Sequence, residues 1–396
     1  MTAAGRIDRR FSKLLVVEAG GDIRHLPRAA LASLFRPGDL VVANDAATLP
    51  ASLQGVHRPS GETIEARLAA WVRFRDPTCF VAIAFGAGDH RAPTEDRPAP
   101  PPLAAGDRLA FGPLDATVER LLDHPRLLRL RFAGVPASLL QGLARRGRPI
   151  QYADVPEPLA LSDVWTKIAA EPIAFEPPSA GFALDWRMLE SWRARGVAFA
   201  TLSHAAGISS TGDAELDRRL PFDEFCRIPD ACASAVQAAK SKSAGVVAIG
   251  TSVVRALESA AAGDGSVRAG EGLASGRIGR GAKLRVVDAI LTGVHQPGES
   301  HFELLRAFAG DRLLERVRAE AAERSYRAQR RFGADRTASR RVGARSSPLG
   351  EKSLPGAWTR GWRHRAFETT PVFRRAMAPD EVCAARRLSR SPLEIA

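Results

Sequence analysis

Residues 246–259 read Val-Val-Ala-Ile-Gly-Thr-Ser-Val-Val-Arg-Ala-Leu-Glu-Ser, and this stretch decides the fold class. Its first four residues are an uninterrupted apolar run, which indicates a buried strand. Gly250 ends the run, and Thr251 and Ser252 are residue types that commonly begin a helix. The apolar residues that follow recur at helical spacing on one face. A buried strand that passes through a glycine into a helix is typical of an α/β protein.

The turn at residues 250–252 also has a chemical implication. The first N–H groups of a helix have no partners within it, and the helix dipole is positive there, so this turn is suited to bind an anion. Arg255 and Glu258 lie three residues apart on the predicted helix. An ordinary strand–helix unit with a surface ion pair between these two side chains explains the same residues without a ligand.

Strand and helix patterns alternate around this stretch, from residue 152 onward. The predicted strands are 197–202, 246–249 and 284–291, and the predicted helices are 185–195, 230–242, 303–308 and 312–330. An earlier apolar strand, at 39–43, follows a turn signal at Pro37-Gly38. This alternation predicts an α/β core.

The pattern changes between residues 56 and 150. Short alternating segments there predict antiparallel strands, at 80–85, 108–111, 116–119 and 128–132. The proline-rich residues 92–105 predict a surface loop, because proline cannot donate to a strand ladder. This region fits a small β-barrel or sandwich inserted into the α/β core, which would then consist of residues 1–55 and 151–335.

The chain has 396 residues, 45% of them hydrophobic and 26% charged, a balance that excludes collagen-like and wholly disordered proteins. Its net charge is +13, but the last 61 residues, 336–396, hold thirteen Lys and Arg against five Asp and Glu, or +8. The remaining +5 is compatible with transient RNA contact without requiring it. Residues 336–396 show no strand or helix periodicity and are expected to form a basic, disordered tail.

Cysteine usage and hydropathy bear on the cellular compartment. The four cysteines are widely spaced and form no Cys-x-x-Cys pair, which favours reduced thiols over a disulfide framework. No apolar run approaches the ~20 residues of a membrane span, and the charged residues 1–13 do not resemble a secretory signal. We therefore expect a cytoplasmic protein with no membrane partner.

A second candidate motif lies at residues 286–301. Asp288 stands within an apolar predicted strand, where a carboxylate is costly unless it is paired or hydrogen-bonded. The end of that strand delivers His295 to a loop with glycine and proline, a common place for functional groups in α/β proteins. Alternatively, Asp288 holds a loop backbone and His295 is simply exposed. With Glu299 and His301 the spacing matches no standard metal site, so no metal is expected.

A weaker signal is Asn44-Asp45, which follows the strand at 39–43 and by itself indicates only a turn. The glycines at 276–281 do not have the spacing of a dinucleotide fingerprint. The chain also lacks the Walker A loop and the Gly-x-Ser-x-Gly elbow. The common nucleotide-binding and hydrolase motifs are therefore excluded.

Several separate motifs together resemble the S-adenosylmethionine:tRNA ribosyltransferase-isomerase family of queuosine biosynthesis. They are Asp-Leu-Val-Val-Ala-Asn-Asp at 39–45, Leu-Pro-Ala at 49–51, Pro-Ser-Ala-Gly at 178–181, Ile-Gly-Thr-Ser-Val-Val-Arg-Ala-Leu-Glu-Ser at 249–259, Val-Asp-Ala-Ile-Leu-Thr at 287–292 with His295 and Pro297, and Ala-Phe-Ala-Gly at 307–310. The resemblance spans roughly residues 30–335. It implies a barrel-like α/β core with an inserted small β-barrel domain at residues 56–150.

The resemblance implies a transferase and isomerase that uses S-adenosylmethionine as a ribosyl donor. Such an enzyme transfers and isomerises the ribosyl moiety onto 7-aminomethyl-7-deazaguanine in tRNA, releases adenine and methionine, and forms epoxyqueuosine. The expected partners are S-adenosylmethionine and, transiently, tRNA. No prosthetic group is expected, and the protein is expected to be a monomer.

The resemblance also selects site residues. His295, Asp288 and Asp45 are the expected catalytic groups. The expected substrate-binding residues are Asn44, Gly250, Thr251, Ser252, Arg255, Glu258, Glu224 and Thr292. Among these, we expect Arg255 and the turn at 250–252 to bind an anion, with Glu258 orienting the Arg255 guanidinium.

The chain departs from the family pattern at several polar positions. The family's Ala-Gly-Leu-His-Phe-Thr is Ala-Gly-Phe-Ala-Leu-Asp at 180–185, its Thr-Leu-His-Val-Gly is Thr-Leu-Ser-His-Ala at 201–205, its Met-His-x-Glu is Pro-Phe-Asp-Glu at 221–224, its loop lysine is Gly298, and the arginine of its Asn-Asp-Thr-Arg turn is Ala47. Two alternatives therefore stay open. One is a diverged paralogue that uses another acceptor, and the other is a catalytically inactive scaffold that binds RNA or a nucleoside.

Overall fold

The computed structural model describes residues 13–324, residue 326 and the backbone of residues 369–374. The strands are β1 (Lys13–Val17), β2 (Ile23–Pro27), β3 (Leu40–Asn44), β4 (Ala47–Thr48), β5 (Ser52–His57), β6 (Thr63–Trp71), β7 (Cys79–Phe85), β8 (Arg108–Phe111), β9 (Leu114–Leu122), β10 (His124–Phe132), β11 (Pro172–Ala174), β12 (Ala198–His204), β13 (Glu224–Ile228), β14 (Val246–Ile249), β15 (Gly270–Ala274), β16 (Ala289–Leu291) and β17 (Thr369–Arg374).

The helices are shorter and surround these strands. They are α1 (Pro136–Arg146), α2 (Leu161–Val164), α3 (Trp186–Ala194), α4 (Ala214–Arg219), α5 (Asp230–Ser241), α6 (Thr251–Ala260), α7 (Ser300–Leu305) and α8 (Asp311–Glu323), with 3₁₀ turns at Arg28–Ser33, Thr94–Asp96 and Ser179–Ala183.

One nine-stranded sheet forms the α/β core. Its order is β15-β13-β12-β3-β14-β16-β17-β1-β2. In its centre β12, β3, β14 and β16 run parallel to one another. Every residue of β3 and β14 is buried, as expected for parallel strands that helices cover on both faces.

The side chains of β3 show how the two faces are filled. Successive residues of a strand point to opposite faces. Leu40 and Val42 belong to a cluster that includes residues of α5, α6 and α8, whereas Val41 and Ala43 belong to a cluster around Trp192 of α3. The apolar run predicted at 39–43 is therefore continuous because both of its faces are covered.

The register of the central strands brings three predicted motifs to one edge. Ile249 of β14 lies opposite Ala43 of β3 and opposite Leu291 of β16. Because these strands are parallel, the residues that follow them, at 44–45, 250–252 and 292–295, leave the sheet on the same side.

Between β4 and α1 the chain forms a closed six-stranded barrel, in the order β10-β7-β6-β5-β8-β9. An α/β core with an inserted small β-barrel is thus confirmed, and the alternative of a sandwich is excluded by closure. The first barrel strand starts at Ser52, ahead of the predicted boundary at residue 56. Residues 92–105 contain the short turn Thr94–Asp96 and no strand, as predicted for that loop.

Three element predictions in the core need correction. The helix predicted at 312–330 is α8, which starts at Asp311 and ends at Glu323. The strand predicted at 284–291 is only Ala289–Leu291, because the backbone N–H groups of residues 285–287 bind the Glu258 carboxylate instead of a neighbouring strand. The helix predicted at 303–308 is α7, which starts at Ser300 and ends at Leu305.

Residues 336–396, expected to be a disordered tail, include six residues in the sheet. β17 pairs in parallel with β1 over five residues and antiparallel with β16 over three. The expectation is wrong for these six residues, because pairing partners distant in sequence stabilise a strand that local periodicity does not reveal. The other residues of 336–396 lie outside the described part of the chain.

The described residues include three of the four cysteines and all of the helices given above. Cys79, Cys226 and Cys232 are buried free thiols, and Cys383 lies outside the described residues. Burial raises the pKa of each of these three thiols to about 11. Among the helices of the described chain, none has the length and apolar character needed to cross a membrane.

The position of β17 generates a test by truncation. Deleting residues 337–396 removes the strand between β1 and β16 and separates the β1–β2 hairpin from the rest of the sheet. We expect the melting temperature to fall, by about 2–4 °C for each kcal/mol lost in a domain of this size. Deleting only residues 375–396 retains β17 and should leave the melting temperature unchanged. Equal melting temperatures for the two truncated proteins would show that β17 contributes no stability.

Candidate active site at the ends of the parallel strands

A pocket lies where the central parallel strands end, and it encloses about 920 Å³ of empty space, part of it open to solvent. Its lining comes from several parts of the core: the segments 176–180 and 206–209, residues 221 and 224, the start of α6, residues 277–278, and the loop and helix that follow β16. Of the predicted site residues, the pocket is lined by Gly250, Thr251, Ser252, Arg255, Glu224, Thr292 and His295.

Gly250 makes the turn between β14 and α6 possible. Its φ of 98° lies in the left-handed region that favours glycine, and its N–H donates to the Leu291 carbonyl at 2.8 Å. A Cβ at this position would stand 3.4 Å from the Cβ of Ala180. Thr251 and Ser252 are the first residues of α6, so the unpaired N–H groups of a ten-residue helix lie at the pocket.

Asn44 links the strand ends beside the pocket. Its side chain is buried and accepts hydrogen bonds from the N–H groups of Ala46 and His204 at 3.0 Å. The Asn44 amide donates to the His204 carbonyl at 2.9 Å and lies 3.3 Å from the Ser252 hydroxyl. It therefore ties the ends of β3 and β12 to the start of α6.

Asp45, a predicted catalytic group, is not among the pocket-lining residues. Its carboxylate accepts a hydrogen bond from the Ser203 hydroxyl at 2.7 Å, and its backbone joins Leu202 and Ala170. The structure thus gives Asp45 a role in holding the loop after β3. A catalytic role for it has no support from this geometry.

Arg255 and Glu224 form a buried ion pair at the pocket. The Arg255 guanidinium donates to a Glu224 oxygen and to the carbonyls of Ala274 at 2.7 Å and Phe222 at 3.1 Å. Both side chains are over nine-tenths buried. The other Glu224 oxygen accepts from the Gly207 N–H at 2.6 Å. With both terminal nitrogens so engaged, Arg255 mainly shapes the pocket wall, in contrast to the predicted role as an anion ligand.

Glu258 does not orient Arg255, and that prediction is wrong. Its carboxylate accepts hydrogen bonds from the N–H groups of Arg285, Val286 and Val287 at 2.8–3.0 Å. Consecutive backbone N–H groups outside a ladder need such an acceptor. Glu224 takes the place of Glu258 beside Arg255.

Asp288 lies at the opposite end of the strands from the pocket. Its carboxylate accepts from the Val246 N–H at 2.9 Å and pairs with the Lys240 ammonium at 3.2 Å. Val246 is the first residue of β14, whereas the pocket lies beyond its last residue. The predicted catalytic role of Asp288 is therefore corrected to backbone capping, the alternative that its sequence position left open.

His295 enters the pocket beside three polar neighbours. Its Nε2 lies 3.0 Å from the Thr292 hydroxyl, and its Nδ1 lies 3.5 Å from a Glu299 oxygen. The His295 ring stacks on that of His301, with ring centroids 4.8 Å apart. Both His295 and Glu299 are buried, so the imidazole is held in a fixed orientation at the pocket wall.

His204 was not predicted as a site residue, although it stands one position after the family histidine. Neighbouring residues of a strand face opposite sides, so this shift changes the histidine's surroundings completely. His204 is fully buried, and its Nε2 lies 3.4 Å from a Glu224 oxygen. Burial, with the Arg255 charge adding to it, lowers the His204 pKa to about 3, whereas burial raises the pKa of Glu224.

Sequence reasoning also missed Glu176 and Tyr152. Glu176 follows β11 and lines the pocket with only 3% of its surface exposed. The Tyr152 hydroxyl donates to its carboxylate, and burial with the Glu176 charge raises the Tyr152 pKa well above its usual value. The one signal in the sequence is a carboxylate between an apolar strand and Pro177-Pro178.

The fold and the pocket together define an α/β protein with a cleft at the ends of its parallel strands. A family model described as queuosine biosynthesis protein matches residues 3–333. The chain therefore belongs to the queuosine biosynthesis protein family, as the sequence resemblance indicated.

Individual relatives agree with this assignment. Proteins named S-adenosylmethionine:tRNA ribosyltransferase-isomerase are 32% identical in Citrifermentans bemidjiense and 34% identical in Sorangium cellulosum, each over 81% of this chain and 90% of the relative. A solved S-adenosylmethionine tRNA ribosyltransferase from Thermotoga maritima is 20% identical, with a TM-score of 0.41 over 81% of this chain and 90% of that one.

The buried state of His204 generates a pH prediction. In the unfolded chain this histidine takes up a proton near pH 6.5, whereas in the folded protein it does so only near pH 3. The unfolded state thus binds more protons between these values, and the free energy of unfolding falls as the pH is lowered through them. The slope from this residue approaches ~1.4 kcal/mol per pH unit.

Replacing the residue tests this. In His204→Gln, that part of the pH dependence should be lost when the free energy of unfolding, measured with urea, is compared at pH 7 and pH 5. His90→Gln, which removes a histidine on the barrel's outer loop, should keep the wild-type slope. If His204→Gln also keeps it, the histidine is protonated in the folded protein.

Proposed function

We propose that this chain transfers and isomerises the ribosyl moiety of S-adenosylmethionine onto 7-aminomethyl-7-deazaguanine in tRNA. The observation that carries the proposal is the convergence of family-matched residues in one pocket. The turn at 250–252, Thr292 and His295 come from two different motifs, and all line the same cavity of about 920 Å³.

His295 is the residue best suited to move a proton in this pocket. The reaction needs a base to remove the acidified proton beside the sulfonium, and imidazole is the side chain most often used for that purpose. Thr292 and Glu299 contact the two ring nitrogens and fix the orientation of the ring. A fixed base close to the reacting carbon avoids the entropy cost of bringing it there.

The start of α6 supplies the anion site of the proposal. Its unpaired N–H groups and the positive end of its dipole lie at the pocket, where they suit the methionyl carboxylate of the donor. The Arg255–Glu224 pair fixes the wall beside them by joining α6 to β13. Adenine and methionine leave as the sugar is transferred and rearranged.

The remaining expectations about partners belong to the same proposal. Mild positive charge outside residues 336–396 suits transient contact with tRNA. Action on tRNA places the protein in the cytoplasm. A monomeric state stays a prediction.

A diverged paralogue with another acceptor is the second candidate, and a specific observation favours it. The 3₁₀ turn Ser179–Ala183 lies against Gly250 at the pocket, and Ala183 stands where the family pattern has a histidine. An imidazole at that position is therefore missing from this chain.

Adenine release measures the donor reaction directly. The protein is incubated with S-adenosylmethionine and either tRNA carrying the aminomethyl precursor or tRNA lacking it. Adenine release that requires the precursor-bearing tRNA supports the proposed function. Adenine release with a different acceptor, such as tRNA lacking the precursor, supports the paralogue. Binding of the donor without any adenine release would identify an inactive scaffold.

His295→Ala tests the assignment of the base. We expect turnover to fall by ~10²–10⁴ with little change in affinity for S-adenosylmethionine, because the side chain moves a proton and does not anchor the donor. Asp288→Asn, at the far end of the strands, should retain turnover. The base is misassigned if His295→Ala reacts at the wild-type rate.

A further inference from the structure

Glu176 is a buried carboxylate at the inner end of the pocket. It follows the short strand β11, and its backbone N–H bonds the Ala206 carbonyl, which fixes the segment between two strand ends. Only 3% of the residue is exposed, yet it belongs to the pocket lining. Burial of an ionised carboxylate is costly unless a cation or several hydrogen bonds compensate it.

The hydrogen bonds of Glu176 reach only one of its two oxygens. Oε1 accepts from the Tyr152 hydroxyl and from the Ser209 N–H at 3.0 Å. No hydrogen bond to Oε2 is formed by residues 13–324, and no lysine, arginine or histidine within that range pairs with this carboxylate. Neutral donors therefore hold one side of the carboxylate and leave its charge uncompensated.

The other carboxylates of the pocket differ in this respect. Glu224 pairs with the Arg255 guanidinium, and Glu303 pairs with that of Arg306. Glu176 is thus the carboxylate of the pocket wall that lacks a protein cation among the described residues. Burial raises the pKa of Glu224, and the nearby negative charge of Glu176 adds to that effect.

Glu176 lines the same pocket as the anion-binding end of α6. Ala180, four residues further along the same segment, stands 3.4 Å from the position of a Cβ on Gly250. One pocket therefore contains a negative group and the positive end of a helix. This pairing of opposite charges is complementary to a zwitterion such as an α-amino acid.

We propose that Glu176 binds an alkylammonium group of the substrate. The favoured source is the α-ammonium group of the methionyl part of S-adenosylmethionine, whose carboxylate would then lie at the start of α6. The acceptor's aminomethyl group is a second source of the same chemistry. This assignment rests on the proposed function, since both ammonium groups belong to its substrates.

The test compares ligands with and without the ammonium group on the full chain. One pair is S-adenosylmethionine and its analogue with hydrogen in place of the α-amino group. The other pair is 7-aminomethyl-7-deazaguanine and 7-methyl-7-deazaguanine. Titration calorimetry gives the four affinities for the wild type, for Glu176→Gln, which keeps the acceptor for Tyr152, and for the control Glu119→Gln. The Glu119 carboxylate pairs with Arg131 on the barrel and does not line the pocket.

We expect Glu176→Gln to lower the affinity for S-adenosylmethionine at least about tenfold, as for loss of a charged hydrogen bond. The affinity for the deaminated analogue should not change. Glu119→Gln should change neither affinity. A loss that is specific for 7-aminomethyl-7-deazaguanine over 7-methyl-7-deazaguanine would support the proposal with the acceptor as the source. Equal losses for both members of each ligand pair, or the same losses in Glu119→Gln, would overturn it.

Two further results keep the inference separate from the proposed function. If Glu176→Gln melts well below the wild type, Glu176→Asp replaces it, and it should retain the preference for the ammonium ligand over its counterpart. A wild type that binds the ligands while Glu176→Gln binds them equally well contradicts the inference alone. A wild type that binds none of the four contradicts the proposed function, and the inference fails with it.

Discussion

The parallel pairing of β3, β14 and β16 is the constraint on which the rest of the structure depends. These strands are buried on both faces, so their backbone groups must be satisfied by one another. Their register sets Ile249 of β14 opposite Ala43 of β3 and Leu291 of β16. That register places residues 44–45, 250–252 and 292–295 at the same edge of the sheet. The pocket exists because three chain segments distant in sequence must leave the sheet side by side.

Backbone hydrogen bonding also explains which acidic residues are structural. Glu258 accepts from three consecutive N–H groups, Asp288 from the first N–H of β14, and Asp39 from the N–H groups of Arg36 and Gly245. Each lies near a strand end where the ladder stops and N–H groups would otherwise be buried without partners. In sequence, such a carboxylate next to an apolar run looks like a catalytic group.

The pocket wall keeps family residues, while neighbouring segments depart from the family pattern. His295, Thr292 and the turn at 250–252 line the pocket and keep the family motif. Ala183 and Gly298, which lie outside the pocket lining, replace polar family side chains. Glu176 brings a negative charge to the same cavity. A scaffold that keeps its proton-moving and anion-binding positions but changes the surrounding polar groups can retain its donor while its acceptor preference shifts.

The amino-acid sequence by itself determined the α/β core, the inserted β-structure, the strand–glycine–helix turn at 246–259 and the family, because each depends on local periodicity or on short motifs. It also placed His295 in a loop after a strand. Only the tertiary structure decided that Arg255 pairs with Glu224 instead of Glu258, that Asp288 lies away from the pocket, and that β17 completes the sheet. These outcomes depend on contacts between residues 31 to more than 350 positions apart, which no local pattern encodes.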